Sequence, residues 1–213
     1  MYFEYSEKET EYLKSRDRKL GEVIDRLGKI ERSVDTNLFS SLIRCIVGQQ
    51  ISTKAQQTIW RRMTEAYGEV TPQALHDATL EEIQSFGMSF RKAEYIKDMA
   101  GRIYDGQFDL DTINDMSDRD AVKALSSFKG IGEWTAEMIL IFCLQRPDIL
   151  SFSDLAILRG MRMVYHHRKI DRKLFEKYRR RLSPYGSVAS LYFWAVAGGA
   201  IPEMRDHAPK KKK

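Results

Sequence analysis

Nine residues constrain this chain more than any others: Phe128-Lys129-Gly130-Ile131-Gly132-Glu133-Trp134-Thr135-Ala136. Gly130 and Gly132 bracket Ile131, and glycine supplies the backbone angles and close approach that a tight turn requires. Upstream, residues 118–127 read as a helix. Downstream, Ala136, Ile139, Leu140, Cys143 and Leu144 recur at helical spacing. The run therefore predicts a helix, a two-glycine hairpin and a second helix. The first N–H groups of that second helix have no partner within it, and together with the helix dipole they attract an anion. Lys129, Gly130, Gly132 and Thr135 are the candidate phosphate contacts. A bare Gly-x-Gly would equally be an ordinary helical corner; the whole run is more specific than that.

A second feature follows Pro147. In Ser151-Phe152-Ser153-Asp154-Leu155-Ala156-Ile157-Leu158-Arg159, one carboxylate stands at the mouth of a helix predicted over 154–165. Alone, an Asp there reads as an N-cap. Together, the hairpin run and the Asp154 segment resemble the helix–hairpin–helix DNA glycosylase superfamily, which also carries a Gly/Pro-rich loop and a catalytic aspartate. Within it the chain is most similar to the 3-methyladenine DNA glycosylase II group. Arg44-Cys45-Ile46-Val47-Gly48-Gln49-Gln50-Ile51-Ser52 and Gly87-Met88-Ser89-Phe90-Arg91-Lys92-Ala93 resemble two further stretches of that group. The likeness runs from about Tyr12 to about Gly199.

The resemblance implies an all-α fold of two helical lobes with the active site in the cleft between them, all within 1–208. Longer members carry an N-terminal β-rich lobe; this chain reads as a compact form without one. By position, Asp154 is the catalytic carboxylate, and Gln50 is the wedge that fills the gap left by a flipped base. Trp134 and Tyr185 are walls of the base pocket. Trp134 stands where lyase-active members carry a Schiff-base lysine, so the implied enzyme is monofunctional. The carbonyls of Ser126, Phe128 and Ile131 match a structural monovalent-cation site. No catalytic cofactor is implied, and two cysteines, Cys45 and Cys143, are too few for an iron–sulfur cluster. The implied partner is double-stranded DNA with damaged bases, met by a monomer that excises alkylated purines such as 3-methyladenine and 7-methylguanine.

The rest of the chain reads as helical, without sustained period-two alternation. Helices are predicted over 6–15, 17–28, 53–67, 72–77, 90–105 and 171–182, with a last one starting at Pro184. Asp35 or Thr36 is expected to cap the helix carrying Leu38, Leu42, Ile43 and Ile46. Phe90, Ala93, Ile96, Ala100 and Ile103 form an expected inward stripe. Arg91 and Lys92 face either DNA or solvent. His166 and His167 are adjacent, not at metal-ligand spacing on one helical face, and read as surface or phosphate contacts. Trp60, Tyr192, Phe193 and Trp194 read as core.

Net charge is a weak argument here. The formal balance is +5, and four of those charges are the lysines at 210–213, part of an expected disordered tail from 209. Basic residues crowd the C-terminal third, where a basic face would suit a phosphate backbone and a solvated helix surface is the alternative. At 213 residues the chain buries roughly 70% of its unfolded surface, enough for a real core. No signal peptide or membrane-length apolar run is visible, which gives the expectation of a soluble intracellular protein, nucleoid-associated in a bacterium and nuclear in a eukaryote. Three other readings stay open: a glycosylase for oxidised or deaminated purines, a non-catalytic DNA-damage binder, and a helical interaction domain.

Overall fold

The computed structural model describes residues 1–209; the lysine run at 210–213 lies outside them. In chain order the helices are α1 (Glu7–Arg16), α2 (Arg18–Leu27), α3 (Leu38–Gly48), α4 (Thr53–Tyr67), α5 (Pro72–Asp77), α6 (Leu80–Ser85) and α7 (Phe90–Tyr104). A 3-10 helix (Asp111–Asp115) precedes α8 (Asp118–Leu125), α9 (Glu133–Phe142), α10 (Leu155–Tyr165), α11 (Arg172–Leu182) and α12 (Gly186–Ala197). Among the described residues the isolated bridge between Tyr2 and Ser33 is the extended pairing present. The fold is all-α, as the hairpin and the helical spacing require.

Local chemistry sets most boundaries. Ser52, Thr71, Thr79 and Ser89 each accept a first-turn N–H, so α4, α5, α6 and α7 begin where small hydroxyl residues stand. Two expected starts move. Asn37, not Asp35 or Thr36, caps α3 by accepting from Ser40 N. α12 begins at Gly186 rather than Pro184. Phe90 leaves the expected stripe and is 51% exposed; Ala93, Ile96, Met99 and Ala100 form the buried face of α7.

The chain divides into two compact units. One comprises Met1–Val34 and the chain from Gln145, hence α1, α2, α10, α11 and α12. Its centre is the crossing of α10 and α12, where Gly160 lies against the backbone of Phe193. Asp17 is both C-cap of α1 and N-cap of α2 and is buried. Its Oδ1 accepts from Leu20 N at 3.1 Å; its Oδ2 accepts from Tyr165 at 3.1 Å and Arg181 at 2.8 Å. Burial, then the Asp17 charge, pushes the Tyr165 phenol well above its ordinary range. Arg181 thus turns inward, Arg172 pairs with Glu176 and Arg162 with Asp206, so part of the basic cluster is spent on ion pairs within the unit. Lys173, Lys177 and Arg180 stay exposed.

The other unit, Asp35–Leu144, holds α3 to α9. In it α7 packs on α3, α5 and α6, and α8 packs on α9 to make the hairpin. Cys143 is buried and Cys45 half-buried, both as free thiols; burial pushes each up to about 11. They are therefore protonated near neutral pH and unreactive.

Candidate functional site

Asp154 is the N-cap of α10 and is only 6% exposed. Its Oδ1 accepts from Ala156 N and Ile157 N, each at 2.8 Å. Its Oδ2 accepts from the indole Nε1–H of Trp194 at 3.2 Å. Three N–H donors on two elements thus fix both oxygens. Trp194 corrects an expectation: it is half-buried, and its polar edge serves the carboxylate instead of lying wholly in the core. Tyr192 and Phe193, its neighbours, are fully buried as expected. Trp60 is half-buried with the Arg44 guanidinium 4.5 Å over its ring.

Tyr185 holds the N-cap position of α12, which has no side-chain cap of its own. A distant carboxylate takes that role. Asp148 Oδ1 accepts from Gly186 N at 3.0 Å and Oδ2 from Ser183 Oγ at 2.6 Å, so it brackets Tyr185 on both sides. Tyr12 of α1 donates its hydroxyl to Ser183 O at 2.8 Å and packs its ring edge-on against Tyr185, centroids 5.1 Å apart. The half-buried Tyr185 ring is held without being covered.

In the other unit, the hairpin has the expected geometry with one refinement. Gly130 has φ +88°, and a Cβ there would lie 2.7 Å from a ring carbon of Tyr95. Left-handed backbone and close approach both demand glycine. Gly132 has φ −91° and caps α9 with no side-chain bond, which leaves the first-turn N–H groups of α9 without a side-chain cap. Lys129 is exposed and Thr135 half-buried beside them, and Trp134 in the first turn is 47% exposed. Phe128 anchors the turn, buried against Phe108 at 4.5 Å with the Arg102 guanidinium 4.5 Å over its ring.

Gln50 lies between α3 and α4, exposed, at φ +57°. A groove of about 530 Å³ includes Gln49, Gln50, Lys92, Tyr95, Trp134 and Thr135 in its lining. Arg91 is exposed and also lines it; the Lys92 ammonium turns onto the end of α3 and donates to Val47 O. His167 also turns inward, with Nε2 2.8 Å from the Tyr178 hydroxyl, and burial lowers its pKa. His166 is exposed, in the left-handed region at φ +58°. Among the described residues no group of three or more His, Cys, Asp or Glu is gathered as for a metal ion, and no helix is long and apolar enough to cross a membrane.

The chain is similar to known proteins of one superfamily. The family model for the HhH-GPD superfamily base excision DNA repair protein matches residues 43–184. A putative DNA-3-methyladenine glycosylase of Bacillus subtilis is 28% identical over 173 residues, which are 76% of this chain and 59% of that protein. The chain thus spans less than two thirds of that relative's length. The crystal structure of a DNA-3-methyladenine glycosidase from Bacillus halodurans superposes with a TM-score of 0.87 at 32% identity, covering 97% of both chains. The 3-methyladenine DNA glycosylase Mag1 of Schizosaccharomyces pombe, solved in complex with abasic DNA, gives 0.74 at 28% identity, covering 90% of this chain and 97% of that one.

Proposed function

This chain belongs to the HhH-GPD superfamily of base excision DNA repair proteins, and from that premise we propose that it is a monofunctional DNA glycosylase for alkylated purines. The observation that carries the proposal is Asp154: a nearly buried carboxylate whose two oxygens are fixed by three N–H donors. A glycosylase takes its target base out of the stack. As the bond to C1′ breaks, positive charge grows on the sugar. A preorganised carboxylate in a water-poor setting stabilises that charge and orients the attacking water. 3-Methyladenine and 7-methylguanine are already cationic, so they depart without strong acid assistance.

Aromatic faces hold such cations, each worth about 0.5–2 kcal/mol. Trp134 and Tyr185 take this role. Tyr185→Ala is expected to lower turnover of 7-methylguanine roughly tenfold, on the scale of one such contact, measured as single-turnover base release. Unchanged turnover removes the stacking role. Gln50 is the wedge. Lys129, Thr135 and the amides following Gly130 and Gly132 grip a phosphate.

The carbonyls of Ser126, Phe128 and Ile131 are oxygen donors of the kind an alkali cation takes. The Ser126 hydroxyl is buried with no hydrogen-bond partner among the described residues, a polar atom that a cation held at this turn would satisfy. When bound, the cation would add positive charge to the phosphate grip.

Strand cleavage tests the reaction type. Methylated duplex DNA treated with the enzyme is expected to break only after alkali, and borohydride is expected to trap no enzyme–DNA adduct. Breaks without alkali, together with a trapped adduct, would mean that a lysine elsewhere acts as a nucleophile.

A further inference from the structure

The junction that carries Gln50 is tied down on two sides. Lys92, in the first turn of α7, donates from Nζ to Val47 O at 2.8 Å and to Gln49 O at 2.6 Å. These carbonyls close α3, whose last four C=O groups have no partner in the helix. A cation at a helix C-terminus also meets the negative end of the dipole. Partial burial, with Arg91 beside it, lowers the Lys92 pKa, in keeping with an ammonium turned onto these carbonyls. On the other side, Gln49 donates from Nε2 to Gly130 O at 2.6 Å. Gly130 is the left-handed glycine of the hairpin, packed on Tyr95 of α7 and Ile46 of α3. α3, α7 and the hairpin therefore close a ring of contacts around one loop. Within that loop Gln50 is held at φ +57°, a conformation uncommon for a residue with a Cβ and maintained only where the surroundings over-determine it.

We propose that Lys92 and Gln49 are positioning residues that lock the Gln50 wedge to the phosphate-gripping hairpin, so that duplex opening and backbone grip act as one rigid piece. The wedge then enters the duplex already in its final shape, with no loop to order on binding. This rests on the assignment of Gln50 as wedge.

The test uses the property that separates a wedge from a general fold support. A wedge fills a gap in a base stack, so it matters for duplex DNA and not for a single strand, where no pairing has to be opened. Excision of 7-methylguanine is measured on duplex and single-stranded DNA of one sequence, and the duplex-to-single-strand rate ratio is compared across variants. Lys92→Met and Gln49→Ala are each expected to lower that ratio about tenfold, as Gln50→Ala does. Lys92→Met combined with Gln50→Ala is expected to lower it no further than either alone, the signature of residues acting as a unit. Gln49→Ala removes only one bond, and so guards against loss of fold in Lys92→Met.

If Gln50→Ala lowers the ratio and neither other variant does, the positioning role is wrong. If Lys92→Met and Gln49→Ala lower both rates in parallel and leave the ratio unchanged, they support only the fold, and the proposal fails. An unchanged ratio in Gln50→Ala would overturn the wedge assignment itself, and the proposal with it.

Discussion

Asp154→Asn is expected to slow base release about 10²- to 10³-fold, the scale seen when one preorganised electrostatic group is removed from a site, while affinity for abasic DNA changes little. Asn is as good an N-cap as Asp, and its Oδ1 still accepts from Ala156 N and Ile157 N. What changes is charge, together with the contact to Trp194. An amide NH2 in place of Oδ2 faces the indole N–H, donor against donor, where a carboxylate oxygen now accepts at 3.2 Å. A lost and mismatched bond of this kind costs roughly 1–3 kcal/mol. Adding Trp194→Phe to Asp154→Asn therefore returns some stability but no activity. Activity that followed stability in the double variant would make Asp154 a cap and no more. Single-turnover release, read alongside thermal melts, separates the two.

Gly160→Ala is expected to be among the most destabilising single-methyl additions in the chain. A Cβ at Gly160 would overlap the carbonyl oxygen of Phe193 and lie 2.8 Å from its carbonyl carbon and 2.9 Å from its Cα. These are backbone atoms of α12, so no rotamer change relieves them. The reason for glycine is close approach of two helices, not an unusual φ. Overpacking costs typically about 1–3 kcal/mol and occasionally more; with backbone as the obstacle, a cost near or above the top of that range is expected. For a chain of this length, about 3 kcal/mol corresponds to a fall in Tm of roughly 6–12 °C. Activity falls with it for a specific reason: Asp154 caps α10, α12 carries Trp194, and forcing the helices apart stretches the bond between them. A Tm within about 2 °C of wild type would show that α10 and α12 separate at little cost.

Much of this is legible in the sequence. Ser52, Thr79, Ser89 and Asp154 cap helices because their side chains reach N–H groups two or three residues away, and such local chemistry is written in the sequence. The hairpin was legible for the same reason. What escaped was set by residues far apart in the chain. Trp194 was grouped with its buried neighbours because the spacing of Tyr192, Phe193 and Trp194 does not reveal a carboxylate forty positions earlier. α12 was expected to start at Pro184; its actual cap is Asp148, on another segment. Lys92 reads from sequence as facing either DNA or solvent, and its ammonium sits on two carbonyls, one of α3 and one of the loop that follows it. Arg181 belongs to the C-terminal basic cluster, which reads as a phosphate-facing or a solvated surface, yet it pairs with buried Asp17. In each case a polar group satisfies a distant backbone or buried charge, and no periodicity records that.

The most direct measurement is base release from methylated duplex DNA, with the freed bases resolved by chromatography. The account predicts that the wild-type protein frees 3-methyladenine and 7-methylguanine and leaves intact abasic strands. Tight binding of the same DNA with no base released would contradict it, and would leave a protein that holds damaged DNA without excising from it.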